Sequence, residues 1–221
     1  MPLYDVKGKT VVVVDILRAT SCMTTAFAHG VKSIRPVAEV EEGLALKEQG
    51  YLIAGERGGE KVAGFDLGNS PFEYMNEELQ GIKMGVTTTN GTRAISLSKG
   101  ASLLAIGSFL NLRAVSTLLN DQESDILIVC AGWKGHVNLE DTLFAGALAE
   151  QLTAKFTHAC DSTLMAISLY HTAKNDLPGF LQYSSHVQRL QGLGIEKDIA
   201  FCLQRDLYDV VPLLKEDELV L

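Results

Sequence analysis

Five short runs of apolar or β-branched residues, each followed by a stretch with helical spacing, constrain this chain more than any other feature. They are Thr10–Val14, Tyr51–Ala54, Met84–Thr88, Ser102–Ile106 and Ile126–Cys130. Such runs are too short for helices and lack the alternation of a strand with one wet face. Strands of this kind are buried on both sides, which predicts a mainly parallel sheet with helices against each face. The intervening helices are expected from about Ser21 to Gly30, over Glu39–Gln49, over Thr92–Lys99, after Asn111, and over Leu139–Leu152. Ser33–Val37 is a further strand, with Pro36 placing it at an edge or a strand end.

The C-terminal third, about 155–206, reads as more helical. Helices are expected over Ser162–Ala173, capped by Asp161, and over Ser185–Leu193 and Glu196–Arg205. Asn175–Gly179 reads as a turn, and Val210–Leu214 as one last strand before a charged tail. No repeat or linker divides the 221 residues. The expected architecture is therefore a single three-layer α/β/α unit over residues 1–221, with a mainly parallel, mixed sheet.

Charge limits the partners. Lys and Arg number 19 against 27 Asp and Glu, a formal charge of −8. A nucleic-acid or acidic-membrane binder needs a basic surface, so both classes are excluded, whereas a small anionic substrate needs only a few local cations. Cys22, Cys130, Cys160 and Cys202 form no C-x-x-C pair and read as thiols in a reducing cytosol. The first residues carry no apolar leader, and no apolar run approaches the ~20 residues that cross a bilayer. A cytoplasmic location is the expectation, and a homodimer is compatible with the sequence.

In an open α/β sheet, ligands bind beyond the carboxyl ends of the strands. The segments that follow the five strands are polar. They contain Asp15, Arg18 and Thr20; Gly55-Glu56-Arg57-Gly58-Gly59; Thr89-Asn90-Gly91-Thr92-Arg93; Gly107-Ser108 with Asn111 and Arg113; and Gly132-Trp133-Lys134-Gly135 with Glu140-Asp141. A parallel sheet gathers all five on one rim. Arg18, Arg93 and Arg113 fall at or just before helix first turns, where the dipole disfavours cations. An anion bound between those helix ends and the guanidinium groups removes that conflict; pairing with nearby carboxylates is the alternative. The glycine-rich segment around Arg57 offers a nest of backbone N–H groups for an oxyanion.

Asp15, Glu56, Asp66, Glu140, Asp141 and Asp161 are hard oxygen donors of the type Mg²⁺ takes, one or two at a time, alongside water and phosphate oxygens. Asp15 ends an apolar strand, where a charge needs a partner. Glu140 and Asp141 also suit a helix first turn, and Asp161 a simple N-cap. His136, in a rim loop, and His186 are further candidates, and no H-x-x-x-H spacing suggests zinc. Several phosphate chemistries are excluded by spacing. Two positions after Asp15 stands Leu17 rather than a second Asp. Six positions after Cys22 and Cys130 stand Ala28 and His136 rather than Arg, and no P-loop is present.

Read in order, Asp15-Ile-Leu-Arg-Ala-Thr20, Gly55-Glu-Arg-Gly-Gly59, Gly64-Phe-Asp-Leu-Gly-Asn-Ser-Pro71, Thr87-Thr-Thr-Asn-Gly-Thr-Arg93, Gly107-Ser-Phe-Leu-Asn111 and Cys130-Ala-Gly-Trp-Lys-Gly135 with Leu139-Glu-Asp-Thr142 resemble the 2-phosphosulfolactate phosphatase family. Ser185-His186, Asp198-Ile-Ala-Phe-Cys202 and Asp206 resemble it more loosely, and Val187 stands where the family pattern has Gly. The resemblance implies a Mg²⁺-dependent acid phosphatase that converts (2R)-2-phospho-3-sulfolactate to 3-sulfolactate and phosphate, a step of coenzyme M biosynthesis in methanogens. It implies Asp15, Arg18, Glu56 and Arg93 as catalytic residues and Asp15, Glu140 and Asp141 around the metal. Arg57, Asn69, Ser70, Asn90, Ser108 and Lys134 would bind a small anionic phosphorylated substrate. Another phosphorylated 2-hydroxy acid, or a binding protein without turnover, are the alternatives.

Overall fold

The structure, a computed structural model, describes residues 4–221; Met1–Leu3, which open the segment read as carrying no apolar leader, lie outside them. The β-branched run Thr10–Val14 forms β1, buried along its whole length. It lies between β6 (Leu103–Gly107) and β7 (Ile126–Cys130), parallel to both. A second parallel group is built from β2 (Ser33–Pro36), β5 (Lys83–Thr87) and β3 (Leu52–Arg57), with β5 in the middle. Glu60–Lys61, β4, folds back on the end of β3.

The two groups are not hydrogen-bonded to each other. A C-terminal hairpin, β8 (Leu213–Lys215) and β9 (Glu218–Val220), is inserted between them, giving the order β4-β3-β5-β2-β9-β8-β6-β1-β7. β9 pairs antiparallel with β2, and β8 antiparallel with β6. The sheet is thus mixed, as expected, but three successive antiparallel pairings set the two parallel groups running in opposite directions, so the single rim expected of a parallel sheet does not form. The segment read as one strand and a charged tail supplies two central strands. Leu219 is fully buried, directly after the lysine and three acids of this tail, which conceal its apolar side from a composition reading.

Alternate residues of β1 face two cores. Val12 and Val14 pack with α4 (Leu112–Asn120), α5 (Leu139–Leu152) and α6 (Asp161–Ala173), together with α7 (Leu177–Leu181), α8 (Ser185–Gln191) and α9 (Glu196–Cys202). The N-cap of α6 is Cys160 rather than Asp161, which is its first residue. Val11 and Val13 face α1 (Ala19–Ala28) and α3 (Gly91–Leu97). On the second strand group, Ile53 meets α2 (Val40–Glu48) and Ala54 meets the α1 side. One compact α/β unit with helices on both faces results.

The sheet is strongly curved. β1 and β3 stand six places apart in the strand order, roughly 29 Å in a flat sheet, and belong to groups of opposite sense. Yet Arg18, just after β1, donates a hydrogen bond of 3.0 Å to the Gly59 carbonyl, just after β3. The sheet therefore twists and curls between the two groups until these strand ends meet, with α1 packed against strands of both. This explains why α1 is buried from Ala19 through Phe27 with no polar face. Its hydroxyls are consumed locally: Ser21, Thr24 and Thr25 donate to the carbonyls of Ile16, Thr20 and Ser21 at 2.8 Å. Among the described residues no helix is long and apolar enough to cross a membrane.

Candidate active site

The curl brings the loops after β1, β3, β5 and β7 around one cavity of about 350 Å³. Asp15, Leu17 and Arg18 line it from the first loop, and Glu56, Arg57, Gly58 and Gly59 from the second. Asn69, Thr89, Trp133 and Lys134 complete that side, and Arg189 and Leu190 of α8 close it from the helical third.

Asp15 is held by the entry to α1. Its amide donates to Thr20 Oγ1 (3.0 Å), and its carbonyl accepts from both the amide and the hydroxyl of Thr20 (2.9 Å each). The carboxyl is buried, with Glu56 and Glu140 near enough to oppose its charge. Burial first, and the Glu56 carboxylate second, push it up to about 7, against the opposing pull of His186 and the Ala19 amide. Gly91 is required beside it, since a Cβ there would lie 2.9 Å from Asp15 Oδ2 and 2.7 Å from Ala19 Cβ.

Arg18 and Glu56 are both fixed by the protein. Arg18 is buried, and its Nη1 donates to Asp198 Oδ2 at 2.5 Å in an ion pair buried on both sides. Ser70 Oγ donates to the other oxygen of Asp198 at 2.9 Å. Glu56 accepts from the Gly59 amide (2.6 Å) and the Thr89 amide (2.7 Å). Part of the glycine-rich nest therefore cradles the protein's own carboxylate. Arg57 donates to the carbonyls of Glu56 and Ala38 and to Thr87 Oγ1, each at 2.9 Å.

Behind this layer lies the first turn of α5. Asp141 is fully buried and accepts from the Ile16 amide (2.8 Å) and the Gly132 amide (3.0 Å), tying the loop after β1 to the loop after β7. Burial raises its pKa well above the usual carboxylate range, with Asp15 and Glu140 adding to the rise. Glu140 is also fully buried. Its Oε1 is engaged by Asn138 Nδ2 (2.9 Å) and His186 Nδ1, while Oε2 has no partner among the described residues.

The candidates read from sequence divide accordingly. Asp15, Arg18, Glu56, Arg57, Asn69 and Lys134 line the cavity. Ser70, Glu140 and Asp141 stand behind it. Ser108 is buried away from it, donating to Thr24 Oγ1 at 3.1 Å, while its amide is held by Asn111 Oδ1 at 2.9 Å. Asn90 is the half-buried N-cap residue of α3, and Arg93 is exposed on the first turn of that helix; neither lines the cavity. Arg113 is drawn away by Asp209 (2.9 Å), and Asp66 is paired with Lys47 at 2.5 Å. Two partners escape a residue-by-residue reading. Asp198 looks like an ordinary acid in a helix first turn, and Arg189 like a solvated mid-helix cation. Only the loose C-terminal resemblance around His186 and Asp198 pointed there.

Comparison with known proteins settles the family. The profile of the 2-phosphosulpholactate phosphatase family matches residues 1–217. The chain belongs to that family. Its relatives include a probable 2-phosphosulfolactate phosphatase of Caldanaerobacter subterraneus subsp. tengcongensis, 43% identical over 216 residues, covering 96% of this chain and 90% of the relative. One of the same name from Thermotoga maritima is 43% identical over 213 residues, covering 96% and 92%. Another, from Clostridium acetobutylicum, is 39% identical over 220 residues, covering 97% and 93%. Membership places the chain among the phosphatases, as a phosphoric monoester hydrolase.

Proposed function

We propose that this protein hydrolyses the phosphate ester of (2R)-2-phospho-3-sulfolactate to 3-sulfolactate and phosphate, with Mg²⁺, in the cytoplasm. The observation that carries this reading is Asp15, a buried carboxyl pushed up to about 7 at the floor of a cavity whose walls carry arginines and lysine. Three relatives named as probable 2-phosphosulfolactate phosphatases support the choice of ester. Four free thiols suit a reducing compartment.

The residues present fit a divalent cation of the Mg²⁺ type. Glu140 Oε2 is a buried oxygen without a partner among the described residues, and the Asp15 pKa is raised by burial first and by the Glu56 and Glu140 carboxylates beside it. Asp15 and Glu140 would hold the ion. Asp141, named beside them from the sequence, has both oxygens on backbone amides and serves the loops instead. Mg²⁺ takes one or two carboxylates and completes its shell with water and phosphate oxygens. When bound, Mg²⁺ would neutralise charge on the phosphoryl group and draw electron density from it.

The chain's own groups do the rest. Arg18, oriented by Asp198 and Gly59, presents a guanidinium fixed before substrate arrives, so little entropy is lost on binding. Arg57 is similarly fixed, and Asn69 and Thr89 supply polar contacts on the same wall. Glu56 keeps both oxygens on backbone amides, which leaves Asp15 as the cavity carboxyl better placed to meet the ion. Arg93 has no hydrogen-bond or ion-pair partner among the described residues and stays in the reading as a cation two residues from Gly91.

Phosphate release from a panel of esters, with Mg²⁺ and with EDTA, tests the reading. Turnover of 2-phospho-3-sulfolactate with Mg²⁺, abolished by EDTA and restored by added Mg²⁺, is the expected result. Preference for another phosphorylated 2-hydroxy acid would change the substrate, and binding of 3-sulfolactate without release from any ester would leave a binding protein. Full turnover by Arg93→Ala would remove that residue from the site.

A further inference from the structure

Two of the four cations that line the cavity are held by the protein itself. Arg18 serves Asp198 and Gly59, and Arg57 serves Glu56, Ala38 and Thr87. Two others are placed differently. Lys134 has no hydrogen-bond or ion-pair partner among the described residues. Arg189 donates Nη1 to the Gly58 carbonyl at 3.1 Å, and its buried Nε has no partner among the described residues. Both stand over the ring of Trp133, Lys134 at 4.9 Å and Arg189 at 5.0 Å from the centroid.

The ring itself is held. Trp133 and His136 exchange backbone hydrogen bonds of 2.9 Å, and the indole stacks on His186 with centroids 6.0 Å apart. Arg189 reaches the cavity because α8 lies directly on the turn after β3. A Cβ on Gly59 would sit 2.7 Å from Leu193 Cδ1 and 3.6 Å from Arg189 Nη1. An aromatic face beside a guanidinium keeps its plane fixed and partly dry, which strengthens a forked bond to a second oxyanion.

We infer that Arg189, assisted by Lys134 across Trp133, grips the anionic part of the substrate that is not transferred, and so decides which phosphorylated acids are accepted. The inference rests on the phosphatase reading above and adds a specificity-determining residue to it. A substrate with a carboxylate or sulfonate beyond the ester is held at two points: the phosphoryl end over Asp15, and the distal anion under α8. An ester without the distal anion leaves the Arg189 fork unmatched and is bound less tightly.

Trp133 is the only tryptophan of the sequence, so its fluorescence reports the clamp directly. Binding of 3-sulfolactate and of inorganic phosphate is measured by that signal and by calorimetry, in wild type, Arg189→Gln and Arg189→Lys. Arg189→Gln is expected to weaken 3-sulfolactate about tenfold or more, the loss of one charge-assisted bond, and phosphate by less than about twofold. Arg189→Lys, which keeps charge without the fork, should fall between. Unchanged affinity for 3-sulfolactate, or equal loss for both probes, would overturn the assignment, the second outcome marking a merely structural role. Phosphate release from the ester separates the two ideas. Turnover with an unaltered KM in Arg189→Gln keeps the phosphatase and removes the clamp. Binding of 3-sulfolactate through Arg189 without any turnover keeps the clamp and removes the phosphatase.

Discussion

At the scale of single residues, the site carries a conflict that the fold does not resolve by itself. Asp15 is buried beside Glu56, with Glu140 also near, and its pKa is raised to about 7 from an ordinary value of 3.8. A carboxyl with a raised folded-state pKa binds its proton more tightly folded than unfolded. Its stabilising contribution is present below about pH 4 and is lost as pH climbs from there to 7. In metal-free buffer the protein should therefore melt lower at pH 8 than at pH 5. Asp15→Asn removes the charge but not the volume. Its melting temperature should match wild type near pH 4 and exceed it increasingly up to pH 7, by an amount on the order of a few kcal/mol in stability. The same variant should release no phosphate. A melting difference between the two proteins that stays flat with pH would show that Asp15 carries no such strain. Stability given up at one carboxylate is what a functional group looks like, and the sequence already hinted at it by ending an apolar strand with Asp.

At the scale of elements, the pieces that position the site are loops tied by helix first turns. Asp141 accepts from Ile16 and Gly132, so one side chain of α5 fixes the loops after both β1 and β7. Asp141→Ala strands two buried amides, each costing about 1–3 kcal/mol. A fall in melting temperature of about 5–15 °C is expected at this chain length, with weaker turnover because Asp15 and Trp133 lose their relative placement. An unchanged melting curve would show that water replaces the carboxylate. These elements were legible: the strands β1 and β7, the helix α5 and the first-turn position of Asp141 follow from periodicity and capping chemistry. The partners of that carboxylate were not, because backbone amides of distant loops leave no mark in composition. Arg189 stayed hidden, and Asp198 showed only through the loose resemblance around it, for a related reason: an acid in a first turn and a cation on a short helix are what any solvent-facing helix would show.

At the scale of the whole molecule, the decisive feature is the hairpin β8–β9, and it was the least legible. A tail reading Leu-Leu-Lys-Glu-Asp-Glu-Leu-Val-Leu carries too much charge to be taken for the centre of a sheet. Its lysine and acids lie at and beside the turn, while Leu219 enters the core opposite Ile34. Local pattern cannot say that two parallel groups fail to meet and that eight residues fill the gap. The consequence reaches the cavity, although no hairpin residue lines it. Asp15 and the Trp133 loop belong to one strand group, Glu56 through Gly59 and Thr89 to the other, and only β8–β9 joins the groups within the sheet. Curvature across that joint sets how far Arg18 stands from Gly59. Removing residues 213–221 should therefore cost more than the few buried side chains it deletes, because it exposes the inner edges of both β2 and β6. The expected outcome is loss of the cooperative melt and of phosphate release together, read by circular dichroism and by turnover. Leu219→Asp, which keeps the chain length and places a charge at a fully buried position, should act in the same direction and shift the denaturant midpoint. A truncated protein that melts cooperatively and still hydrolyses the ester would mean that the two groups hold their curl without the joint, and that packing around α1 alone closes the cavity.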